Sequence, residues 1–145
     1  MDFLSALNIS GSGLTAQKLR MDVISQNIAN AQVTRTERGS PYRRKMVVLS
    51  SIEESGSFQD ALDRVMGKSM GGVQVNRIVE DYSPLVPVYD PAHPDANEEG
   101  YVMLPNVNTT QEMIDILSAS RAYEANVTAF NATKAMALKA LEIGR

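Results

Sequence analysis

The sequence predicts a mainly α-helical protein in which two long terminal helices flank a small β-rich insert. Near both ends, apolar residues recur at alternating spacings of three and four, which is the pattern of one helix face. Between them, short apolar runs are separated by Gly, Pro and Asn, which favours short strands. The predicted domains are therefore residues 1–31 (N-terminal helix), 32–105 (insert) and 106–145 (C-terminal helix).

The C-terminal stretch predicts the longer helix. Pro105 precedes it, Thr109 with Glu112 three residues later matches a capping box, and Gly144 suits a helix end. Its striped face is apolar at all but two positions and consists of Met113, Ile116, Ser120, Tyr123, Val127, Phe130, Lys134, Ala137 and Leu141.

The N-terminal stretch predicts a second helix that ends near Asn30. Its stripe consists of Phe3, Leu7, Ser10, Leu14, Gln17, Met21, Ile24 and Ile28. Gly11 and Gly13 each weaken a helix by about 1 kcal/mol relative to alanine, so packing must hold it. Most other positions carry small or amide side chains where a free surface helix carries Lys and Glu. We therefore expect both helices to be covered on several sides.

The insert predicts four short strands. They are expected at residues 42–50, 73–80, 85–89 and 101–104. Pro87 suits an edge strand, because proline cannot donate to a sheet ladder. A short amphipathic helix is predicted at residues 58–66, within a stretch, 50–72, that has no other clear pattern.

Composition excludes several classes of function. The net charge of −3 argues against a nucleic-acid binder, and the absence of cysteine excludes disulfides and thiol chemistry. No run of 18 apolar residues is present to span a membrane. The first residues lack the basic and apolar regions of a secretory signal, so we expect no cleaved signal peptide.

Candidate catalytic motifs lack the context that their chemistry needs. Residues 11–16 match the dinucleotide fingerprint G-x-G-x-x-A, but that site requires a preceding strand and this stretch has helical periodicity. A small nucleotide-binding enzyme is therefore kept only as an alternative. Residues 67–69 resemble the end of a phosphate-binding loop whose first glycine is replaced by Leu62.

The remaining polar residues favour loops over sites. His93, the one histidine, lies between prolines and has no nearby nucleophile in sequence. The acidic residues around it do not have the spacing of a calcium loop. We therefore predict no catalytic residue, no cofactor and no metal site.

A basic cluster marks the start of the insert. Tyr42, Arg43, Arg44 and Lys45 are predicted to contact a protein partner, with phosphate or anionic lipid as the alternative. Residues 33–54 contain five basic and three acidic side chains, whereas residues 60–104 contain eight acidic and three basic ones. Opposite local charges suit head-to-tail contacts between copies.

Several stretches, taken together and in this order, match one known family. They are residues 12–17, 20–30, 41–45, 89–102, 105–108, 112–113 and 118–127. The chain resembles the bacterial flagellar basal-body rod and hook family, and its insert motifs point to the proximal-rod branch. A related needle-like protein exported by a type III apparatus is the alternative within the structural class.

The resemblance implies a structural subunit and not an enzyme. Its terminal helices would pair as a coiled coil and stack into the tubular core of a rod that crosses the periplasm and transmits torque. The implied partners are further copies, rod proteins of the FlgB, FlgF and FlgG types, the adaptor FliE and the flagellar type III export apparatus. The residues expected at helix and subunit interfaces are Leu7, Leu14, Met21, Ile24, Ile28, Met113, Ile116, Tyr123, Val127, Phe130 and Leu141, with the amides Asn27, Asn30, Asn126 and Asn131 bridging subunits.

Overall fold

Two long helices and two small antiparallel sheets make up the described part of the chain. The structure, a computed structural model, describes residues 3–52 and 71–143. The elements are α1 (Phe3–Ala29), β1 (Lys45–Ser51), β2 (Val73–Glu80), β3 (Val86–Tyr89), β4 (Tyr101–Leu104) and α2 (Thr109–Ile143). Two long terminal helices with small β elements between them are thus confirmed. The predicted helix at 58–66, the motif at 67–69 and the Gly144 cap lie outside the described residues.

The N-cap residue of helix α2 lies one position before Thr109, the residue at which the predicted capping box begins. The Asn108 side-chain oxygen accepts the backbone N–H groups of Thr110 at 3.1 Å and Gln111 at 3.3 Å. Asn108 is therefore the N-cap, and Thr109 is the first helical residue. The predicted capping box is wrong, because the Glu112 side chain is used elsewhere.

The two helices pack side by side in antiparallel directions. Near the end of α1, Asn27 bonds Glu112 near the start of α2. Fourteen residues before Asn27, Gly13 faces Asn126, which lies fourteen residues after Glu112. This constant register places Phe3 level with Met136. The last seven residues of α2, 137–143, therefore extend past the described start of α1, by about 10 Å at 1.5 Å per residue.

The described core is small and draws on both helices, strand β4 and the segment before β1. Its buried apolar residues are Ala16, Val23, Ile24, Tyr42, Val102 and Ala119. Asn27 and Glu112 are buried among them, with 0% and 1% of their surfaces exposed. Neither helix has the apolar character that a membrane span requires, among the residues that the structure describes.

Strands β1 and β2 form a hairpin that packs on α1. Lys45 pairs with Glu80 at one end, and the register shifts between Val48 and Leu49. The strand was expected to begin at residue 42, but it begins at Lys45. The backbone N–H groups of Tyr42 and Arg44 instead bond the Val33 carbonyl and the Asn106 side chain, so they are not available to β2.

Strands β3 and β4 form a second hairpin, in which Val86 pairs with Leu104 and Tyr89 with Tyr101. The two tyrosine rings meet edge to face at 5.3 Å between centroids. The connecting loop closes with Asp90 N–H bonded to the Gly100 carbonyl at 2.9 Å. Gly100 has a φ of +82°, which a residue with a side chain adopts only with strain.

Candidate functional site

A buried polar cluster joins the end of α1, the start of β1 and the start of α2. At its centre, the Asn27 amide nitrogen donates to Glu112 Oε2 and to the Lys45 carbonyl, both at 2.9 Å. The Asn27 amide oxygen accepts from the Tyr42 hydroxyl and the Lys45 N–H, also at 2.9 Å. Both donors and both acceptor positions of the amide are thus used inside the chain. The hydrogen-bonding capacity of the Asn27 amide is therefore used within the chain, and its contact with a neighbouring subunit stays a prediction.

Glu112 is the charged partner in this junction cluster. Its Oε1 accepts from Arg44 Nε at 2.6 Å, while Oε2 receives the Asn27 bond. The Arg44 guanidinium also lies 3.5 Å from an Asp115 carboxylate oxygen. Removing a carboxylate from water is costly unless it is paired and hydrogen-bonded, and Glu112 has both kinds of compensation. Arg44 therefore has a role within the chain, and its contact with a partner stays a prediction.

Asn106 links the same cluster to the β1–β2 hairpin. Its side-chain oxygen accepts the Arg44 N–H at 2.9 Å, and its side-chain nitrogen donates to the Asp81 carbonyl at 3.0 Å. The Asp81 N–H in turn bonds the Arg44 carbonyl at 2.7 Å. These directional bonds fix the hairpin relative to the helix pair.

Two side chains near the cluster have shifted pKa values. Burial raises the pKa of the Tyr42 hydroxyl, and the nearby carboxylates of Glu112 and Glu80 raise it further. The pKa of Asp81 is lowered, because its carboxylate accepts hydrogen bonds from the Ser83 hydroxyl and backbone N–H.

The other two cations of the predicted basic cluster lie near aromatic rings. The Arg43 guanidinium lies 5.3 Å from the centroid of the Tyr82 ring and donates to the Ser83 carbonyl at 3.3 Å. The Lys45 ammonium lies 5.7 Å from the centroid of the Tyr42 ring. Aromatic rings thus hold both cations in place. Neither cation has an ion-pair partner within residues 3–52 and 71–143.

The predicted interface residues differ in their exposure. Ile24 and Asn27 are buried, and Met113, Asn131 and Leu141 are exposed. The half-buried ones are Leu7, Leu14, Met21, Ile28, Asn30, Ile116, Tyr123, Asn126, Val127 and Phe130. Their contacts with other subunits stay a prediction.

The motifs that suggested enzyme chemistry form part of a helix and of a loop. Residues 11–16 lie in the interior of α1, where backbone N–H groups are committed to the helix and cannot cradle a phosphate. His93 Nδ1 accepts the Asp95 N–H at 3.1 Å and so stabilises a loop. The described ranges contain no group of three potential metal ligands placed together.

Sequence reasoning missed Glu112 and Asn106 as members of the junction cluster. One signal was present for Glu112. It lies on the same helix face as Ile116, Ala119 and Tyr123, at spacings of four, three and four. A carboxylate on an inward face requires a buried partner, and an arginine in the insert was available.

The polar groups of the junction cluster bond one another and hold three elements together. Comparisons with known proteins agree with a structural role. The family model "Flagella basal body rod protein" matches residues 7–35, and "Flagellar basal body rod FlgEFG protein C-terminal" matches residues 98–143. Both matches include a helix that contributes to the cluster.

Full-length relatives carry the name "Flagellar basal-body rod protein FlgC". The relative from Bacillus subtilis is 52% identical, and the alignment covers 100% of both chains. The relative from Borreliella burgdorferi is 48% identical, over 99% of this chain and 98% of the relative. The relative from Salmonella typhimurium is 40% identical over 100% of both chains.

Proposed function

Since the chain belongs to the FlgC family of flagellar basal-body rod proteins and is a structural subunit of that rod, we propose that its terminal helices build the rod by packing against those of neighbouring subunits. In this proposal α1 and α2 pair as a coiled coil, and successive pairs stack into a helical tube across the periplasm. The insert lies further out. Residues 1–31, 32–105 and 106–145 are the corresponding domains.

The exposed apolar side chains of α2 carry the proposal. Leu117, Met136 and Leu141 are 60%, 64% and 71% exposed, and Ile143 is 85% exposed. Exposed apolar patches mark interaction sites in soluble proteins, and Met136, Leu141 and Ile143 lie close together in sequence at the end of α2. Burial against another subunit stabilises by roughly 25 cal/mol for each Å² of apolar surface removed from water.

The register of the helix pair explains the exposed surface at the C-terminal end of α2. Beyond Met136, the described part of α1 offers no residue for α2 to pack against. Leu138 and Leu141 lie in this overhang and are exposed, and Leu141 belongs to the predicted apolar stripe of the helix. A neighbouring subunit's helices would supply the missing contacts.

The junction cluster supports a mechanical role for the same subunit. Directional hydrogen bonds and an ion pair connect both helices to the β1–β2 hairpin. A twist applied to the helices would therefore be passed to the insert. Torque would travel through this packing, with no catalytic step.

We also propose the partners that the family resemblance implies. They are further copies of this chain, rod proteins of the FlgB, FlgF and FlgG types, and the adaptor FliE. Delivery would use the flagellar type III export apparatus.

The test uses the overhanging end of α2. Leu138→Asp with Leu141→Asp places charges on the exposed apolar surface, and Lys139→Asp is the control at a polar position between them. We expect the double variant to lose incorporation into purified basal bodies and to abolish swimming of a strain that lacks the wild-type chain. The circular dichroism of the monomer should not change. Normal incorporation of the double variant, or equal loss in the control, would contradict the proposal.

A further inference from the structure

The β3–β4 hairpin carries a rigid acidic turn at residues 97–100. The Asn97 side-chain oxygen accepts the N–H groups of Glu99 at 3.1 Å and Tyr101 at 2.8 Å. The Gly100 N–H bonds the Asn97 carbonyl at 2.9 Å, and the Asn97 N–H bonds the Tyr101 carbonyl at 2.9 Å. The turn therefore holds Glu98 and Glu99 in fixed, exposed positions.

The two carboxylates are unpaired within the described part of the chain. Neither Glu98 nor Glu99 forms an ion pair with any residue in the ranges 3–52 and 71–143. Asp95, by contrast, accepts from the Thr34 hydroxyl at 2.9 Å and lies 3.7 Å from Arg35. Asp95 thus anchors the base of the loop, and only the turn is available to a partner.

A basic pocket of complementary character lies elsewhere on the insert. A cavity of about 490 Å³ is lined by Arg38, Arg43, Lys45, Tyr42, Tyr82 and Pro41, with Glu37 and Glu80 at its wall. Three cations and two carboxylates leave the pocket with a net positive charge. The rings of Tyr42 and Tyr82 hold Lys45 and Arg43 in place. Binding would therefore cost little conformational entropy of these two side chains.

We propose that the acidic turn of one copy binds in the basic pocket of the next copy in the rod. The inference rests on the proposed helical packing, since it needs copies that stand side by side. A contact that joins two different surfaces is heterologous and generates a helix when its rotation does not close. The charges of the turn and the pocket are opposite, and the two surfaces lie on different parts of one chain. Both properties suit such a contact.

Disulfide cross-linking gives a direct test, because the chain contains no cysteine. Glu98→Cys in one copy and Ser40→Cys, at the pocket wall, in another are expressed together. We expect a cross-linked dimer in isolated basal bodies after mild oxidation. Incorporation of both variants without a cross-linked dimer would overturn the inference and leave the helical packing intact. Failure of the helical packing is detected separately with the Leu138→Asp and Leu141→Asp variant.

Charge reversal tests whether electrostatics hold the contact. Arg43→Glu is compared with Arg77→Glu, an exposed cation of β2 outside the pocket. We expect Arg43→Glu to lower the cross-linking yield about three-fold at low salt, because a single exposed ion pair contributes little. The effect should become smaller as salt is added, because salt screens exposed charges. Glu99→Lys combined with Arg43→Glu should restore the yield. If Arg43→Glu weakens incorporation while Glu98→Lys with Glu99→Lys has no effect, the occupant is another rod protein and the inference is wrong.

Discussion

The side-chain amide of Asn27 donates a 2.9 Å hydrogen bond to the carboxylate of Glu112, and both side chains are buried. The two residues are 85 positions apart in the sequence. The bond joins the last turns of α1 to the first turn of α2 and sets their antiparallel register. Because the Asn27 amide also bonds Lys45 at the start of β1 and the Glu112 carboxylate also bonds Arg44 just before β1, the pair also fixes the insert.

Replacing Asn27 by alanine should destabilise the protein strongly. The Glu112 carboxylate, the Tyr42 hydroxyl and the Lys45 backbone would each lose a buried partner. We expect a loss of about 3 kcal/mol in the free energy of unfolding, measured with urea. Asn30→Ala is the matched control, since its amide bonds only the neighbouring Gln26 carbonyl in an exposed position, and should cost below about 0.5 kcal/mol. Equal losses in the two variants would contradict a central role for Asn27.

The pair between Arg44 and Glu112 should show strong energetic coupling. A double-mutant cycle with Arg44→Gln and Glu112→Gln is expected to give about 1 to 3 kcal/mol, because the ion pair is close and one partner is fully buried. The same cycle with Arg43→Gln and Glu112→Gln should give a value near zero, since Arg43 bonds the carbonyls of Asp81 and Ser83 instead. Similar coupling energies from both cycles would show that the coupling arises from the overall charge of the site and not from the Arg44–Glu112 pair.

Tyr42 should make stability fall at high pH. Its pKa is raised in the folded state, so folding holds the proton more tightly than the unfolded chain does. This contribution is complete below the unfolded pKa of about 10 and is lost as pH rises through the folded value. The free energy of unfolding of the Tyr42→Phe variant should not fall in this way at high pH. At neutral pH the variant should be less stable than the wild type by about 1 kcal/mol, because it lacks the hydrogen bond to Asn27. The two stability curves should therefore converge above about pH 10. Parallel curves would exclude the effect.

Two glycines of α1 should respond differently to alanine. A methyl group at Gly11 meets no atom within 4 Å, so Gly11→Ala should stabilise by about 0.5 to 1 kcal/mol. At Gly13 the same group would lie 3.1 Å from the Asn126 side chain, which is tighter than ordinary contact. We expect Gly13→Ala to stabilise less than Gly11→Ala or to destabilise, as measured by thermal unfolding. Equal gains would contradict the close approach of α1 and α2 at this point.

Elements with local signals were predicted well from the sequence. The predicted bounds of β2 and β4 agree with the structure, because glycine precedes β2 and Gly100 and Pro105 bracket β4. The helices follow from their periodicity, and the end of α1 follows from the polar, glycine-containing segment after it. These signals act within a few residues of each element, so a single sequence contains them.

Features that depend on remote partners were not predicted. Glu112 was assigned to a helix cap, which is a local role, whereas its carboxylate bonds Asn27 and Arg44. Strand β1 begins three residues later than expected, because Asn106 and Val33 bond the backbone before it. Arg44 and Lys45 are adjacent in sequence, yet Arg44 forms an ion pair with buried Glu112 whereas the Lys45 ammonium lies near the Tyr42 ring.

The sequence by itself determined the helix–insert–helix order, the strands of the insert and, through its motifs, the family. Periodicity and turn residues are local properties of the chain, and family motifs are read directly from it. Only the tertiary structure decided the antiparallel register of the helices and the hydrogen-bond partners of the buried Asn27 amide. It also decided the overhang of α2 in which Leu138 and Leu141 are exposed. A buried amide or carboxylate is stable only where all its partners meet in space, and distant segments bring those partners together.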